Sequence, residues 1–133
     1  MEFIRWCGLL VIGHPVIDEQ HQKLFSIINE FHNQLETGES KHLAVDTLNR
    51  LIKFAQKHFA AEEAISKQFG FPDEKLTQHK KIHEQLIFDI FELHQEITSS
   101  TSIDLRSISS FLTEWIILHI LIEDNKYKNF LPQ

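Results

Sequence analysis

Histidines and acidic residues recur at helical spacing in this 133-residue chain. His79 and His83 are four residues apart in LTQHKKIHEQL, and His58 and Glu62 are four apart in HFAAE. This separation places two side chains over one turn of a helix, so each pair can share a bound ion. Imidazole and carboxylate ligands without a thiolate suit iron, copper or zinc better than calcium or magnesium. The two pairs therefore predict transition-metal chemistry.

The same polar residues interrupt apolar stripes. Alternating steps of three and four residues mark the inward face of an amphipathic helix, and four such stripes run along the chain. Their polar members are His21, His58, Glu62, His79, His83 and His119. An unpaired buried imidazole or carboxylate is costly, and a bound cation removes that cost. Taken singly, His21 or His119 is more simply explained as a hydrogen-bonded core histidine.

Glycine and proline separate these stripes and do not interrupt them. The predicted helices cover residues 18–37, 41–69, 73–98 and 104–128. Asp18 and Asp73 are expected as N-terminal caps. No segment alternates with period two, so no sheet is expected. We predict an all-α fold, a single-domain up-down-up-down antiparallel four-helix bundle. An N-terminal arm, residues 1–17, is expected to pack on it through Phe3 and Trp6.

The up-down topology brings the polar residues to one level of the bundle. The early parts of the first and third helices lie beside the late parts of the second and fourth. The early residues are His21, His79 and His83, and the late residues are His58, Glu62 and His119. Five histidines are too many for one tetrahedral zinc, so the count favours a two-metal centre.

Composition excludes several other classes of function. The chain has 19 acidic residues against 13 lysines and arginines, a formal net charge of -6, which argues against nucleic-acid or anionic-membrane partners. The single cysteine, Cys7, rules out an internal disulfide. The start, MEFIRWCGLLVIG, has a short apolar run, no strong basic lead and no A-x-A-like cleavage site, so no export signal is expected. The run WIILHILI is too short to span a membrane. We expect a cytoplasmic monomer without a membrane partner.

Four segments together resemble the hemerythrin family, in particular bacterial single-domain hemerythrins. They are IDEQHQKLFSIIN, HFAAEE, FGFPDEKLTQHKKIH and WIILHILIED, in this order along the chain. The resemblance implies a non-haem di-iron centre with an oxo or hydroxo bridge and dioxygen as its ligand. It implies these metal ligands: His21, His58, Glu62, His79, His83, His119 and Asp124.

The resemblance also divides the ligands between the two irons. His79, His83 and His119 would hold one iron. His21 and His58 would hold the other, and Glu62 and Asp124 would bridge the two. With a bridging solvent oxygen, the first iron has six ligands and the second has five. One position therefore stays open for dioxygen. Apolar residues beside the ligands are expected either to line an oxygen pocket or to serve as ordinary core: Leu24, Phe25, Phe59, Trp115 and Ile117.

Asp124 requires an irregular helix. It lies five residues after His119, and on a regular α-helix it would point about 140° away from that residue. We therefore predict a widened turn between the two. Glu63 is expected to be solvated, and Ser66, where the family often has methionine, is expected to admit water near the centre. The other histidines are expected as polar flanks or buried hydrogen-bonding residues: His14, His32, His42 and His94.

Three functions remain open from the sequence. The first is reversible dioxygen binding for storage, delivery or sensing, in a protein that is not an enzyme. The second is a di-iron enzyme with peroxidase, nitric-oxide or oxidase chemistry at the same site. The third is a helical interaction module with an incidental or zinc site. The histidine-rich ligand set favours carrying oxygen over activating it, since oxidase centres of this type are rich in carboxylates.

Overall fold

The fold is a bundle of four helices. A computed structural model describes residues 3–38, 41–99 and 104–128, apart from the side chains of residues 125 and 127. The helices are α1 (Pro15–Glu36), α2 (Lys41–Gln68), α3 (Asp73–Ser99), α4 (Leu105–Thr113) and α5 (Asn125–Lys128), with a π-helical segment (Glu114–Asp124) between the last two. The fourth helix of the bundle is α4, the π segment and α5 in succession. Within these described ranges there is no strand, and the predicted all-α four-helix bundle is confirmed.

Helix α1 begins earlier than predicted. Pro15 is its first residue, and the His14 side chain caps it by accepting the backbone N–H two residues later at 3.2 Å. Proline favours this position because its fixed φ suits a helix and its missing N–H would have no helical partner. The prediction that Asp18 is the cap was wrong. Its carboxylate instead accepts the N–H groups of Ile12 at 2.8 Å and Gly13 at 3.1 Å.

The turn between α2 and α3 sets where α3 begins. Gly70 has a positive φ of 88°, and the N–H of Phe71 donates to the carbonyl of Ser66 at 3.0 Å. A second bond runs from the Gly70 N–H to the carbonyl of Lys67 at 3.1 Å, which completes a glycine-terminated helix end. Phe71 is buried by this turn. Asp73, predicted as a cap, is the first residue of α3.

The π segment changes which residues of the fourth helix face inward. Trp115, His119 and Asp124 are buried, whereas Ile122 is 56% exposed. In a π-helix, hydrogen bonds join residues five apart, so residue i+5 lies over residue i. This spacing brings Asp124 below His119 and turns Ile122 outward, although steps of four and three residues from Trp115 through His119 predict Ile122 on the inner face. The predicted irregularity is confirmed, and it begins at Glu114, earlier than expected.

The side chain of Asn29 on α1 binds the N-terminal arm at Phe3 and Ile4. The Oδ1 of Asn29 accepts the N–H groups of Phe3 at 2.9 Å and Ile4 at 2.8 Å, and its Nδ2 donates to the Ile4 carbonyl at 2.9 Å. Phe3 also stacks on the ring of His32, with centroids 4.0 Å apart, and Trp6 packs edge-on against a core phenylalanine. Other arm residues are buried more deeply: Ile4, Leu10 and Ile12.

One stretch of the fourth helix is apolar enough to be compared with a membrane span. By length and composition alone, Leu105–Asp124 could cross a membrane. Its buried side chains include His119 and Asp124, which lie against residues of the other three helices. This stretch is a core helix of the bundle.

Asn29→Ala should loosen the arm. The substitution removes three hydrogen bonds to partly buried backbone groups, so the free energy of unfolding should fall by about 1–3 kcal/mol, measured by urea denaturation. Ser26→Ala, an exposed position on the same helix, is the matched control. Equal stabilities for the two variants would show that Asn29 does not hold the arm.

Candidate metal centre

The seven residues expected as metal ligands come together at one level of the bundle, and all seven are buried. One group of donor atoms, mutually within 4.8 Å, comes from Glu62, His79, His83, His119 and Asp124. A second group comes from His21, His58 and Glu62. Helix α1 contributes one residue, α2 and α3 two each, and the π segment two.

Glu62 lies between the two groups. Its Oε2 is 2.9 Å from His58 Nε2 and 3.3 Å from His21 Nε2. Its Oε1 is 3.0 Å from His79 Nε2 and 3.2 Å from His83 Nε2. Each carboxylate oxygen therefore faces a different pair of imidazoles.

Asp124 repeats this arrangement from the other side. Its Oδ2 is 3.2 Å from His21 Nε2. Its Oδ1 is 3.0 Å from His119 Nε2 and 3.2 Å from His79 Nε2. Both carboxylates thus turn one oxygen toward the two-histidine side and one toward the three-histidine side. A pair of ions side by side requires this arrangement of its bridging ligands.

Several of these atoms are close to one another without forming hydrogen bonds. The Nε2 atoms of His58, His83 and His119 and both oxygens of Asp124 are buried and lack a hydrogen-bond partner. Buried polar atoms in that condition are rare in folded proteins. The distances are short, but the directions are not those of N–H···O bonds. The carboxylate oxygens, and the Nε2 atoms once they are deprotonated, have lone pairs available to a cation.

The donor spacing also fits a metal. Two ligands held at right angles by bonds of about 2.0–2.2 Å lie about 3 Å apart, close to the imidazole–carboxylate distances here. The set contains five imidazoles, two carboxylates and no thiolate, which suits first-row transition metals. The residues present therefore fit a pair of such ions.

Without a cation, protons on the imidazoles balance the buried carboxylates. Burial alone would lower the pKa of His21 and of His79, but contacts with Asp124 and Glu62 and their negative charge outweigh burial and raise both to about 9. The pKa of His83 is also raised. Burial opposes ionisation of the two acids as well. The surrounding imidazoles nevertheless hold the pKa of Asp124 down to about 2 and that of Glu62 well below its usual range.

Two further polar residues contact the imidazoles from outside the cluster. The Oε1 of Gln20 lies 2.8 Å from Nδ1 of His58, and the Oε2 of Glu63 lies 2.6 Å from Nδ1 of His83. The expectation that Glu63 is solvated was wrong. Its side chain is only 21% exposed, because α3 packs against this face of α2. Gln20 was not predicted at all, although it adjoins His21 in the sequence.

The residues expected to line an oxygen pocket are apolar core around the cluster. Phe59 stacks on the His83 ring at 4.0 Å and lies edge-on to His119 at 5.9 Å. Trp115 approaches Phe59 at 6.4 Å. Phe59 and Trp115 are buried, as are Leu24 and Phe25, whereas Ile117 is only partly buried. Their role as an oxygen pocket stays a prediction.

Aromatic residues outside the helical stripes also approach the cluster. The Trp6 ring lies 6.2 Å from that of His21, and the Phe71 ring lies 6.3 Å from that of His79. Trp6 belongs to the arm, and Phe71 belongs to the turn between α2 and α3. Helical periodicity gives no signal for either contact.

Ser66 and the remaining histidines have local roles. The Ser66 hydroxyl is buried and donates to the backbone carbonyl of Glu62 at 2.8 Å, so its bonding needs no water. His32 is buried against the Ser109 hydroxyl at 2.8 Å, and His14 caps α1. Among the described residues, none of the four extra histidines joins a metal-type cluster.

Comparison with known proteins gives a consistent family match. The model of the hemerythrin HHE cation binding domain matches residues 13–131. A bacteriohemerythrin of Stenotrophomonas maltophilia is 26% identical, covering 96% of this chain and 80% of its own length. A hemerythrin-like protein of Naegleria gruberi is 29% identical over 96% of this chain and 92% of its own.

A solved structure supports the fold. The crystal structure of a leucine-to-phenylalanine mutant protein superimposes with a TM-score of 0.79 at 24% identity. The match covers 97% of each chain. At this identity, the likeness concerns the fold alone.

The metal-free chain should lose stability as pH rises from about 6.5 to about 9. In this window the folded chain keeps protons on His21 and His79 that the unfolded chain has released. Each unit of pKa difference is worth about tenfold in the folding equilibrium. Asp124 does not contribute here, because its stabilisation is lost only as pH falls below about 4 toward 2.

Urea denaturation midpoints measured at several pH values give the slope of stability against pH. His21→Asn should flatten it, whereas His42→Asn, at an exposed histidine away from the cluster, should leave it unchanged. A wild-type midpoint that stays constant between pH 6.5 and 9 would contradict the charge balance described above.

Proposed function

This chain belongs to the hemerythrin family, and we propose that it binds dioxygen reversibly at a non-haem di-iron centre, for oxygen storage, delivery or sensing. One observation carries the proposal. The two buried carboxylates, Glu62 and Asp124, each turn one oxygen toward each histidine group. Such a carboxylate pair suits two neighbouring ions better than it suits one.

The unequal numbers of histidines provide a binding position for a small ligand. We propose that His79, His83 and His119 hold one iron and that His21 and His58 hold the other. Glu62 and Asp124 would contribute to both positions. The two-histidine position has one protein ligand fewer, which would leave room for dioxygen. A bound iron pair would supply the two electrons for its reversible binding.

Reversibility requires that nearby side chains do not deliver protons to bound oxygen. The Trp115 Nε1 donates to the carbonyl of Leu86 at 2.9 Å, and the Ser66 hydroxyl donates to the carbonyl of Glu62. These donors are therefore already used. Gln20 and Glu63 contact only the outer nitrogens, Nδ1, of His58 and His83. Apolar side chains such as Phe59 and Leu24 are buried around the cluster, which favours a dry site.

Small molecules can approach the cluster from the surface. A depression of about 410 Å³ between α2 and α3 has Phe59, Glu63 and His83 in its wall. A second, of about 370 Å³, is lined in part by Phe71 and His79. The Nε2 atoms of His58, His83 and His119 are buried, so a ligand can reach them only through side-chain motion, which is easier for a molecule of the size of dioxygen than for a bulky one. This favours a carrier over a catalyst with a bulky organic substrate.

The proposed location is the cytoplasm. The one cysteine, Cys7, is a free, exposed thiol, and such a thiol is stable in a reducing compartment.

Anaerobic loading with ferrous iron should give two irons per chain. Admission of air should then produce a charge-transfer absorption band that disappears under vacuum and returns with air. Irreversible bleaching with product release would favour a di-iron enzyme with peroxidase, nitric-oxide or oxidase chemistry. A fully helical protein that takes up no iron would refute the di-iron proposal and leave the zinc or interaction-module interpretation.

Glu62→Gln should lower the iron content to one per chain or less, since the amide loses the negative charge that faces four imidazoles. Glu74→Gln, at an exposed position in the first turn of α3, is the control and should retain the full iron content. Iron would be measured by elemental analysis after desalting. Full iron occupancy in Glu62→Gln would remove Glu62 from the ligand set.

A further inference from the structure

The two halves of the cluster have different partners behind their histidines. On the three-histidine side, His83 faces the carboxylate of Glu63 through Nδ1 at 2.6 Å. On the two-histidine side, His58 faces the amide oxygen of Gln20 through Nδ1 at 2.8 Å. With Nε2 turned toward the cluster, each Nδ1 carries the proton and donates it to its partner. One half therefore has an anionic acceptor, and the other has a neutral one.

These partners are built into the helix packing. Gln20 precedes His21 on α1 and reaches across to α2, and Glu63 follows Glu62 on α2 and reaches across to α3. Each is thus the sequence neighbour of one cluster residue and the hydrogen-bond partner of another. Neither residue is fully exposed, which limits competition from water for the two bonds.

We propose that Glu63 and Gln20 are positioning residues that set the two metal positions to different reduction potentials, with Glu63 favouring the oxidised state at the three-histidine position. This inference rests on the proposed function. A carboxylate acceptor draws the Nδ1 proton and makes the imidazole a stronger donor at Nε2. A stronger donor stabilises the more highly charged metal ion. An amide acceptor does so less, so the two-histidine metal is reduced more easily.

The test exchanges the two acceptors in the iron-loaded chain. Glu63→Gln keeps a hydrogen-bond acceptor but removes the negative charge. In a spectroelectrochemical titration it should raise the reduction potential of the one-electron step at the three-histidine position. A tenfold shift in the oxidised-to-reduced ratio corresponds to about 59 mV for one electron. Gln20→Glu should lower the potential of the other step. In the double variant, the three-histidine position should have the higher reduction potential of the two.

Glu84→Gln is the matched control. Glu84 lines the same depression as Glu63, is exposed, and has no contact with a cluster histidine among those described. Glu84→Gln removes one negative charge, as Glu63→Gln does, and should leave both reduction potentials unchanged. If Glu63→Gln and Gln20→Glu both keep the wild-type potentials, or if Glu84→Gln shifts them as much, the inference is overturned.

A zinc measurement separates this inference from the proposed function. In competition with a chromophoric chelator, Glu63→Gln should weaken zinc binding at one site by about 10- to 100-fold, and Gln20→Glu should strengthen it. In the zinc-loaded protein, the His83 Nδ1 proton should resonate further downfield in the wild type than in Glu63→Gln. These readouts stand even if the chain takes up no iron. Unchanged zinc affinity and proton shift in both variants would overturn the inference.

Discussion

The structure depends on placing two carboxylates among five imidazoles inside an apolar bundle. Buried acids are very costly unless positive charge lies within a few ångströms. Here Glu62 and Asp124 are fully enclosed, and imidazoles from all four helices surround them. In the absence of a cation, protons on His21 and His79 supply that charge. Metal ions would replace those protons, so the same side chains that stabilise the metal-free fold must release protons on binding. Stability and metal binding therefore depend on one charge balance.

The π segment is the local distortion that completes this balance. A regular α-helix would turn Asp124 away from His119, and one acid would be missing from the cluster. The wider turn brings Asp124 inward but exposes Ile122 and Leu118 to solvent. Insertions of this kind are uncommon and are often found at functional sites. In this helix, the inward position of Asp124 is therefore accompanied by the exposure of apolar side chains that a regular helix would bury.

Residues from the arm, from the turn before α3 and from positions next to the cluster residues complete the surroundings of the cluster, and these surroundings differ between its two histidine groups. The arm, tied down by Asn29, brings Trp6 toward His21, and the glycine turn before α3 brings Phe71 toward His79. Both aromatic residues come from segments outside the helices. Glu63 and Gln20 contact the outer nitrogens, Nδ1, of His83 and His58. The two carboxylates face both histidine groups in the same way, whereas the polar partners behind the histidines differ between the two groups.

The chain's periodicity by itself determined the helices, their inner faces and the common level of the polar residues. Steps of three and four residues depend only on local helix geometry, and short connections leave few ways to align four helices. The resemblance to the hemerythrin family added Asp124 as an expected ligand, and its distance from His119 then required a widened turn, which the structure contains. Local patterns did not reveal the start of α1, the outward turn of Ile122, or the contacts of Gln20, Glu63, Trp6 and Phe71. Those features depend on how each helix is rotated and offset against its neighbour and on the path of the chain through arm and turn. Only the packed tertiary structure decides these, because contacts between helices are set by the shapes of both partners together.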